Sequence, residues 1–146
     1  MTLEERKEPA LIVLAEDNRA DVTLVREALK LHELACELQV VEDGELAVGV
    51  FDRVDADEGA RCPDLLLLDL NLPKVNGEEV LVHLQESTRC ARIPVIVITS
   101  SDSAKDRAMA QRMGAAKYFR KPSDLGEFMS LGALIKGVLS GERVRG

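Results

Sequence analysis

Residues 64–73 read DLLLLDLNLP, and this stretch decides the fold class. Four consecutive leucines leave no polar face, which is typical of a strand buried on both sides of a parallel sheet. Asp69 ends the apolar run, and Pro73 and Gly77 mark the loop that follows. The stretch therefore predicts a central strand over residues 64–69 with a carboxylate at its carboxyl end.

Apolar runs of strand length alternate with helix-period segments along the rest of the chain. The other predicted strands cover residues 11–15, 37–41, 94–99 and 117–120. The predicted helices cover about residues 20–33, 45–51, 78–86 and 124–139, with one more that ends near residue 113. Residues 52–63 predict a polar loop. This alternation predicts an α/β fold, in which helices cover both faces of a five-stranded parallel sheet.

The length and composition limit the class of protein. A chain of 146 residues suits one domain, which we assign to residues 10–140. Residues 1–9 are then an N-terminal extension and residues 141–146 a frayed tail, with no output domain. The net charge of −7 and the aromatic content of 3% argue against nucleic-acid binding. The apolar run at residues 10–15 is too short to span a membrane.

The three cysteines, Cys36, Cys62 and Cys90, lie far apart in the sequence. No C-x-x-C motif occurs, and the number of cysteines is odd. The pattern predicts neither a disulfide framework nor a zinc site, and we expect inert thiols. A reducing, cytoplasmic location is consistent with this reading.

Polar side chains follow the predicted strands at the point where each strand ends. Glu16 and Asp17 follow the first strand, and Asp69 ends the third. Thr99 ends the fourth strand, and Lys121 follows the fifth. Sites in such sheets form outside the carboxyl ends of the strands, so we expect these residues to converge.

The chemistry of this group of residues predicts a phosphoryl-transfer site. Three carboxylates repel one another unless a cation lies among them, and Mg²⁺ suits a few carboxylates with waters and phosphate. Asp69, on the most buried strand, is the candidate nucleophile, because an aspartate can form an acyl phosphate. Glu16 and Asp17 would hold the metal. Thr99 and Lys121 would contact the phosphoryl oxygens.

In order and spacing, these residues resemble the receiver domain of two-component response regulators. The resemblance covers roughly residues 10–140 and rests on five motifs: Glu16-Asp17, Asp69, Pro73 with Gly77, Thr99, and Lys121-Pro122. Each motif alone is weak, but together, each after the right strand, they are specific. The resemblance implies a flavodoxin-like sheet with strand order 2-1-3-4-5. It also implies a phospho-acceptor switch rather than an enzyme.

The resemblance assigns roles at the acidic edge of the sheet. Asp69 becomes the phospho-acceptor. By this resemblance, Glu16, Asp17, Asp69 and the backbone carbonyl of Asn71 would bind Mg²⁺. The Lys121–Pro122 peptide bond is expected to be cis.

The resemblance also implies a conformational switch. Thr99 is expected to move toward the phosphoryl group, and Tyr118 to turn inward into the vacated space. These movements would reshape the face formed by the fourth helix, the fifth strand and the fifth helix. In stand-alone response regulators, which this chain resembles, a homodimer can form through that face.

Three stretches resemble stand-alone regulators that are paired with phytochrome-type histidine kinases, namely residues 17–21, 52–63 and 68–74. The expected phosphoryl donor is therefore a sensor histidine kinase, which would dock on the first helix and the loop after Lys121. The downstream partner is a protein of unknown identity. Candidate residues for partner choice are Arg19, Asp21 and Arg26.

Three other functions compete with this reading. A haloacid-dehalogenase-like phosphohydrolase needs Asp-x-Asp, whereas this chain has Asp69-Leu70-Asn71. A nucleotide- or flavin-binding protein would need phosphate-binding glycine motifs, and neither G-x-G-x-x-G nor G-x-x-x-x-G-K-[S/T] occurs. A phosphorylation-independent interaction module remains open, although the complete set of acidic residues, Thr99 and Lys121 argues against it.

Overall fold

The computed structural model describes residues 8–141. Most of the predicted N-terminal extension and C-terminal tail lies outside the described residues. The strands are β1 (Ala10–Ala15), β2 (Cys36–Val41), β3 (Leu65–Leu68), β4 (Val95–Thr99) and β5 (Lys117–Arg120). They form one parallel sheet with the order β2-β1-β3-β4-β5, which confirms the predicted fold class and strand order.

Helices cover both faces of this sheet. They are α1 (Arg19–Leu31), α2 (Gly44–Ala56), α3 (Gly77–Glu86), α4 (Ala104–Arg112), α5 (Leu125–Met129) and α6 (Leu131–Leu139). The apolar residues of α2, α3 and α4 pack in one core cluster, and those of α1, α5 and α6 pack in another. Among residues 8–141, no helix combines the length and apolar character needed to cross a membrane.

The leucines of β3 explain why this strand carries no polar face. Leu66 and Leu68 belong to the core under α2, α3 and α4, whereas Leu65 and Leu67 belong to the core under α1, α5 and α6. All four side chains are fully buried. Since successive side chains of a strand point to opposite faces, a central strand between two helical layers must be apolar throughout. This packing fixes the position of Asp69, the next residue.

Two helices differ from the predicted ones. Residues 52–56, which were predicted to lie in a loop, form the last turns of α2. Asp55 there accepts hydrogen bonds from the Ser87 hydroxyl (2.8 Å) and the Arg89 N–H (3.1 Å), which ties α2 to the end of α3. The predicted helix at 124–139 is divided at Ser130, whose hydroxyl donates to the Glu127 carbonyl at 2.6 Å. Such local side-chain bonds compete with regular helix geometry.

The cysteine prediction was wrong. Cys62 and Cys90 form a disulfide across a sequence separation of 28, with their Cα atoms 5.6 Å apart, and Cys36 is a free thiol. The fold brings the loop after α2 beside the loop after α3. Arg89 joins the same two loops by donating to the carbonyl oxygen of Ala60 at 2.7 Å. Sequence spacing could not show this pairing, because it depends on how the two loops meet in space.

Gly77 allows α3 to begin directly against the segment that carries Asp69. A Cβ atom at Gly77 would lie 2.6 Å from the Cα of Leu70 and 3.0 Å from the carbonyl oxygen of Asp69. The Gly77 N–H also donates to the Leu70 carbonyl at 3.0 Å. The backbone approach at this position therefore requires glycine.

We expect Gly77→Ala to lower the free energy of unfolding by about 1–3 kcal/mol, because backbone atoms of residues 69 and 70 would have to move. The matched control is Gly49→Ala within α2, where the nearest atom to a Cβ is the end of the flexible Arg53 side chain at 3.4 Å. That control should be neutral or stabilising by up to about 1 kcal/mol. Urea denaturation measures both, and equal effects of the two substitutions would contradict the packing argument.

Candidate functional site

The site lies at the carboxyl ends of β1, β3, β4 and β5. Glu16 follows β1 and is 1% exposed, and Asp69 follows β3 and is 5% exposed. Asp17 is exposed beside them, and Thr99 at the end of β4 is fully buried. The structure thus brings the predicted strand-end residues to one edge of the sheet.

Lys121 lies at the centre of this acidic edge. Its Nζ is 2.8 Å from Glu16 Oε1, 2.9 Å from Asp69 Oδ2 and 2.7 Å from Asp21 Oδ2. Its backbone N–H donates to the Thr99 carbonyl at 2.7 Å, which fixes the start of the side chain beside β4. A single ammonium group therefore contacts three carboxylates and neutralises only part of their charge.

Burial and these contacts together shift the pKa values of Glu16 and Lys121. Burial raises the pKa of Glu16 to about 7, although the hydrogen bond with Lys121 opposes this effect. Burial alone would lower the pKa of Lys121, but its bonds to Asp21, Glu16 and Asp69 outweigh burial and raise that pKa above its ordinary value. Lys121 is therefore a permanent cation at neutral pH.

Sequence reasoning missed the contact between Asp21 and Lys121, and treated Asp21 as an exposed candidate for partner choice. The structure places it half-buried in the first turn of α1. Asn18 caps this helix by accepting the Asp21 N–H at 3.1 Å, while the Asn18 N–H donates to Glu16 Oε2 at 3.1 Å. The sequence offered one signal for this contact: Asp21 lies three residues after Asn18, the cap of a helix that begins at the edge of the site.

The acidic residues can hold a divalent metal ion. Glu16, Asp17 and Asp69 each offer one carboxylate oxygen, and the three atoms lie within 4.8 Å of one another. Hard divalent cations prefer oxygen ligands of this kind, and Lys121 alone leaves the site strongly negative. The Asn71 N–H donates to Asp69 Oδ1 at 2.9 Å and so fixes the orientation of the carboxylate. The ligand role of the Asn71 carbonyl stays a prediction.

The two residues of the predicted switch meet at Ser101 in the loop after β4. The Thr99 hydroxyl accepts from the Ser101 N–H at 3.2 Å, and the Tyr118 hydroxyl donates to the Ser101 carbonyl at 2.8 Å. The Arg107 guanidinium lies 4.4 Å from the centre of the half-buried Tyr118 ring. Tyr118 therefore already contacts this loop, and its predicted movement stays a prediction.

The expectation of a cis Lys121–Pro122 bond was wrong, because all peptide bonds among residues 8–141 are trans. The trans form of an X–Pro bond is favoured by only about 0.5–1 kcal/mol, so local contacts select the isomer. Here Lys121 reaches its three carboxylate partners with the bond in the trans form.

Comparison with known proteins gives one consistent result. The family described as the response regulator receiver domain matches residues 12–131. The response regulator Rcp1 of Synechocystis sp. is 34% identical over 128 residues, which cover 88% of this chain and 87% of Rcp1.

Solved structures agree with the sequence matches. The phosphorylated cyanobacterial phytochrome response regulator RcpA superposes with a TM-score of 0.79 at 33% identity, covering 90% of this chain and 94% of RcpA. The Mn²⁺-bound form of Rcp1 gives the same TM-score and identity, covering 90% of this chain and 95% of Rcp1. With its sheet order, its acidic edge and these matches taken together, the chain belongs to the response regulator receiver family.

Proposed function

We propose that Asp69 accepts a phosphoryl group from a sensor histidine kinase and that the phosphorylated form switches the binding of a protein partner. The observation that carries this proposal is the placement of Asp69. Its buried carboxylate lies 2.9 Å from Lys121 Nζ and shares a metal-competent cluster with Glu16 and Asp17. The site thus combines a nucleophile with cationic neutralisation, which are the main requirements of phosphoryl transfer.

The transfer step involves one bond made and one bond broken. A carboxylate oxygen of Asp69 attacks phosphorus, and the bond from phosphorus to the donor nitrogen or oxygen breaks. The electron pair of that bond leaves with the donor, and Asp69 becomes an acyl phosphate. Lys121 neutralises charge on the transferring oxygens, and the Thr99 hydroxyl can exchange its bond with the Ser101 N–H for one to the phosphoryl group.

We propose Mg²⁺ as the metal, held by Glu16, Asp17, Asp69 and the backbone carbonyl of Asn71. When bound, Mg²⁺ supplies neutralisation of phosphoryl charge. The tight grouping of three carboxylate oxygens supports this assignment. A Mn²⁺-bound structure of the relative Rcp1 is consistent with it.

The partners follow from the likeness to phytochrome response regulators. Receiver domains work with histidine kinases, and we propose a phytochrome-type kinase for this chain because the phytochrome response regulator RcpA matches it at 33% identity. We propose as output surface the face formed by α4, β5 and the helix predicted at residues 124–139, which the structure divides into α5 and α6. The same face is the proposed homodimer contact. The proposed location is the cytoplasm, which is consistent with the receiver family. The Cys62–Cys90 disulfide removes the support that unpaired cysteines would have given to this location.

The test is the intact mass of the protein after incubation with acetyl phosphate, with Mg²⁺ or with EDTA. The proposal predicts one phosphoryl adduct that requires Mg²⁺. Absence of an adduct, with acetyl phosphate and with a phytochrome-type kinase as donor, would favour the phosphorylation-independent module. Continuous turnover of p-nitrophenyl phosphate would instead favour the phosphohydrolase, because a receiver consumes its donor by phosphorylating itself.

Mg²⁺ affinity should rise with pH up to about 7 and then level off. Glu16 must be ionised to bind the metal, whereas its raised pKa of about 7 keeps it protonated at lower pH. In the absence of metal, the raised pKa of Glu16 stabilises the folded protein at low pH. This contribution to the free energy of unfolding is lost as the pH rises through about 7. Calorimetric titration at pH 5.5, 6.5 and 7.5 measures the affinity. Glu16→Gln should flatten the profile, and an unchanged profile would contradict this role of Glu16.

A further inference from the structure

We propose that Asp21 is a positioning residue that holds Lys121 in place while Glu16 and Asp69 serve the metal. The inference rests on the proposed function. In this inference Asp21, in the first turn of α1, affects phosphoryl transfer by holding Lys121 and does not itself contact the phosphoryl group.

The Asp21–Lys121 contact is a partly buried ion pair that joins distant parts of the chain. At 2.7 Å it is the shortest of the three ion pairs of Lys121, and it links residues 100 positions apart. The Lys121 side chain is 11% exposed and that of Asp21 is 20% exposed. Most exposed ion pairs contribute little to stability. A partly buried pair such as this one holds the Lys121 ammonium group in a defined position.

The three carboxylates on Lys121 differ in what else they can do. Glu16 and Asp69 belong to the group of oxygens that can hold a metal ion, together with Asp17, and Asp21 does not belong to it. When a metal ion is bound by Glu16 and Asp69, these two carboxylates attract Lys121 less strongly. Asp21 is then the carboxylate that keeps the ammonium group at the site.

Backbone contacts hold both partners at fixed positions. The N–H of Asp21 donates to the Asn18 side chain, which caps α1, and the Asn18 N–H donates to Glu16. On the other side, the Lys121 N–H donates to the Thr99 carbonyl. The pair is therefore preorganised, and loss of the Asp21 charge would let Lys121 pair more closely with Asp69 and Glu16.

The first measurement is the rate of phosphorylation by acetyl phosphate in saturating Mg²⁺. We expect Asp21→Asn to react about tenfold more slowly, within the range seen when the partner of a site residue is removed. Asp21→Glu keeps the charge and should recover part of the rate. Glu27→Gln, which neutralises an exposed acid on the same helix, should keep the wild-type rate. A wild-type rate in Asp21→Asn would overturn the inference.

The second measurement is a double-mutant cycle read as Mg²⁺ affinity without phosphodonor. Asp21→Asn should weaken Mg²⁺ binding about tenfold in the wild-type background, because Lys121 then competes for Glu16 and Asp69. In a Lys121→Met background the same change should have less than about a twofold effect. Equal effects in both backgrounds would mean that Asp21 acts by its charge alone, and would overturn the positioning role.

The two measurements separate this inference from the proposed function. If the wild-type protein takes no phosphoryl group, the proposed function fails, and the Mg²⁺ cycle still tests the Asp21–Lys121 coupling. If the wild type is phosphorylated and Asp21→Asn behaves like it, only the inference fails. Should Lys121→Met not fold, as judged by circular dichroism, the rates of Asp21→Asn and Asp21→Glu decide the question.

Discussion

Asp69→Asn is expected to abolish the phosphoryl adduct. An amide oxygen or nitrogen is a far weaker nucleophile than a carboxylate, and the variant also loses the ion pair with Lys121 at 2.9 Å. We expect adduct formation from acetyl phosphate to fall at least about a hundredfold, to the background of the mass measurement. The fold should persist, since removing one of several neighbouring carboxylates relieves repulsion at the edge of the sheet.

The matched control for this substitution is Asp52→Asn, which removes an exposed carboxylate on α2. The control should be phosphorylated at the wild-type rate. Circular dichroism of all three proteins shows whether the fold is kept. An adduct of wild-type extent in Asp69→Asn would place the acceptor elsewhere and would contradict the central role of this residue.

Lys121→Met is expected to have two separate effects. It removes the cation at the phosphoryl group, so phosphorylation should fall about a hundredfold or more. It also leaves Glu16, Asp21 and Asp69 without their shared partner at 2.7–2.9 Å. In EDTA the free energy of unfolding should fall by about 2 kcal/mol, less than the roughly 3–5 kcal/mol of a fully buried pair because the Lys121 and Asp21 side chains are partly exposed.

Mg²⁺ distinguishes the electrostatic effect of Lys121 from a packing effect. The metal should restore most of the stability of Lys121→Met in urea denaturation, because it supplies the missing positive charge. Lys136→Met, at an exposed position on α6, should leave both stability and phosphorylation unchanged. A loss of stability that Mg²⁺ does not reverse would show that Lys121 acts mainly through its aliphatic chain.

The fold could be predicted because its strongest signal is local. The four leucines of β3 have no polar face, which only a central strand between two helical layers requires. The edge that carries Asp69, Thr99 and Lys121 then follows from the strand ends, since parallel strands finish on the same side of a sheet. The apolar pattern of the strands therefore predicts the fold, and the positions of the strand ends predict the location of the site.

The features that were missed depend on contacts between distant residues. Asp21 meets Lys121 across 100 positions, and Cys62 meets Cys90 across 28, so neither pair leaves a local pattern. The break at Ser130 coincides with donation from both the Ser130 N–H and the Ser130 hydroxyl to the Glu127 carbonyl. The trans Lys121–Pro122 bond reflects a small energy difference that the surroundings decide.

The most direct test of the account is to identify the residue that carries the phosphoryl group. Borohydride reduces an aspartyl phosphate to homoserine, which changes the residue mass permanently and can be located in a peptide. After phosphorylation in Mg²⁺ and reduction, the account predicts homoserine at position 69. Homoserine at position 17, or at any position other than 69, would contradict it.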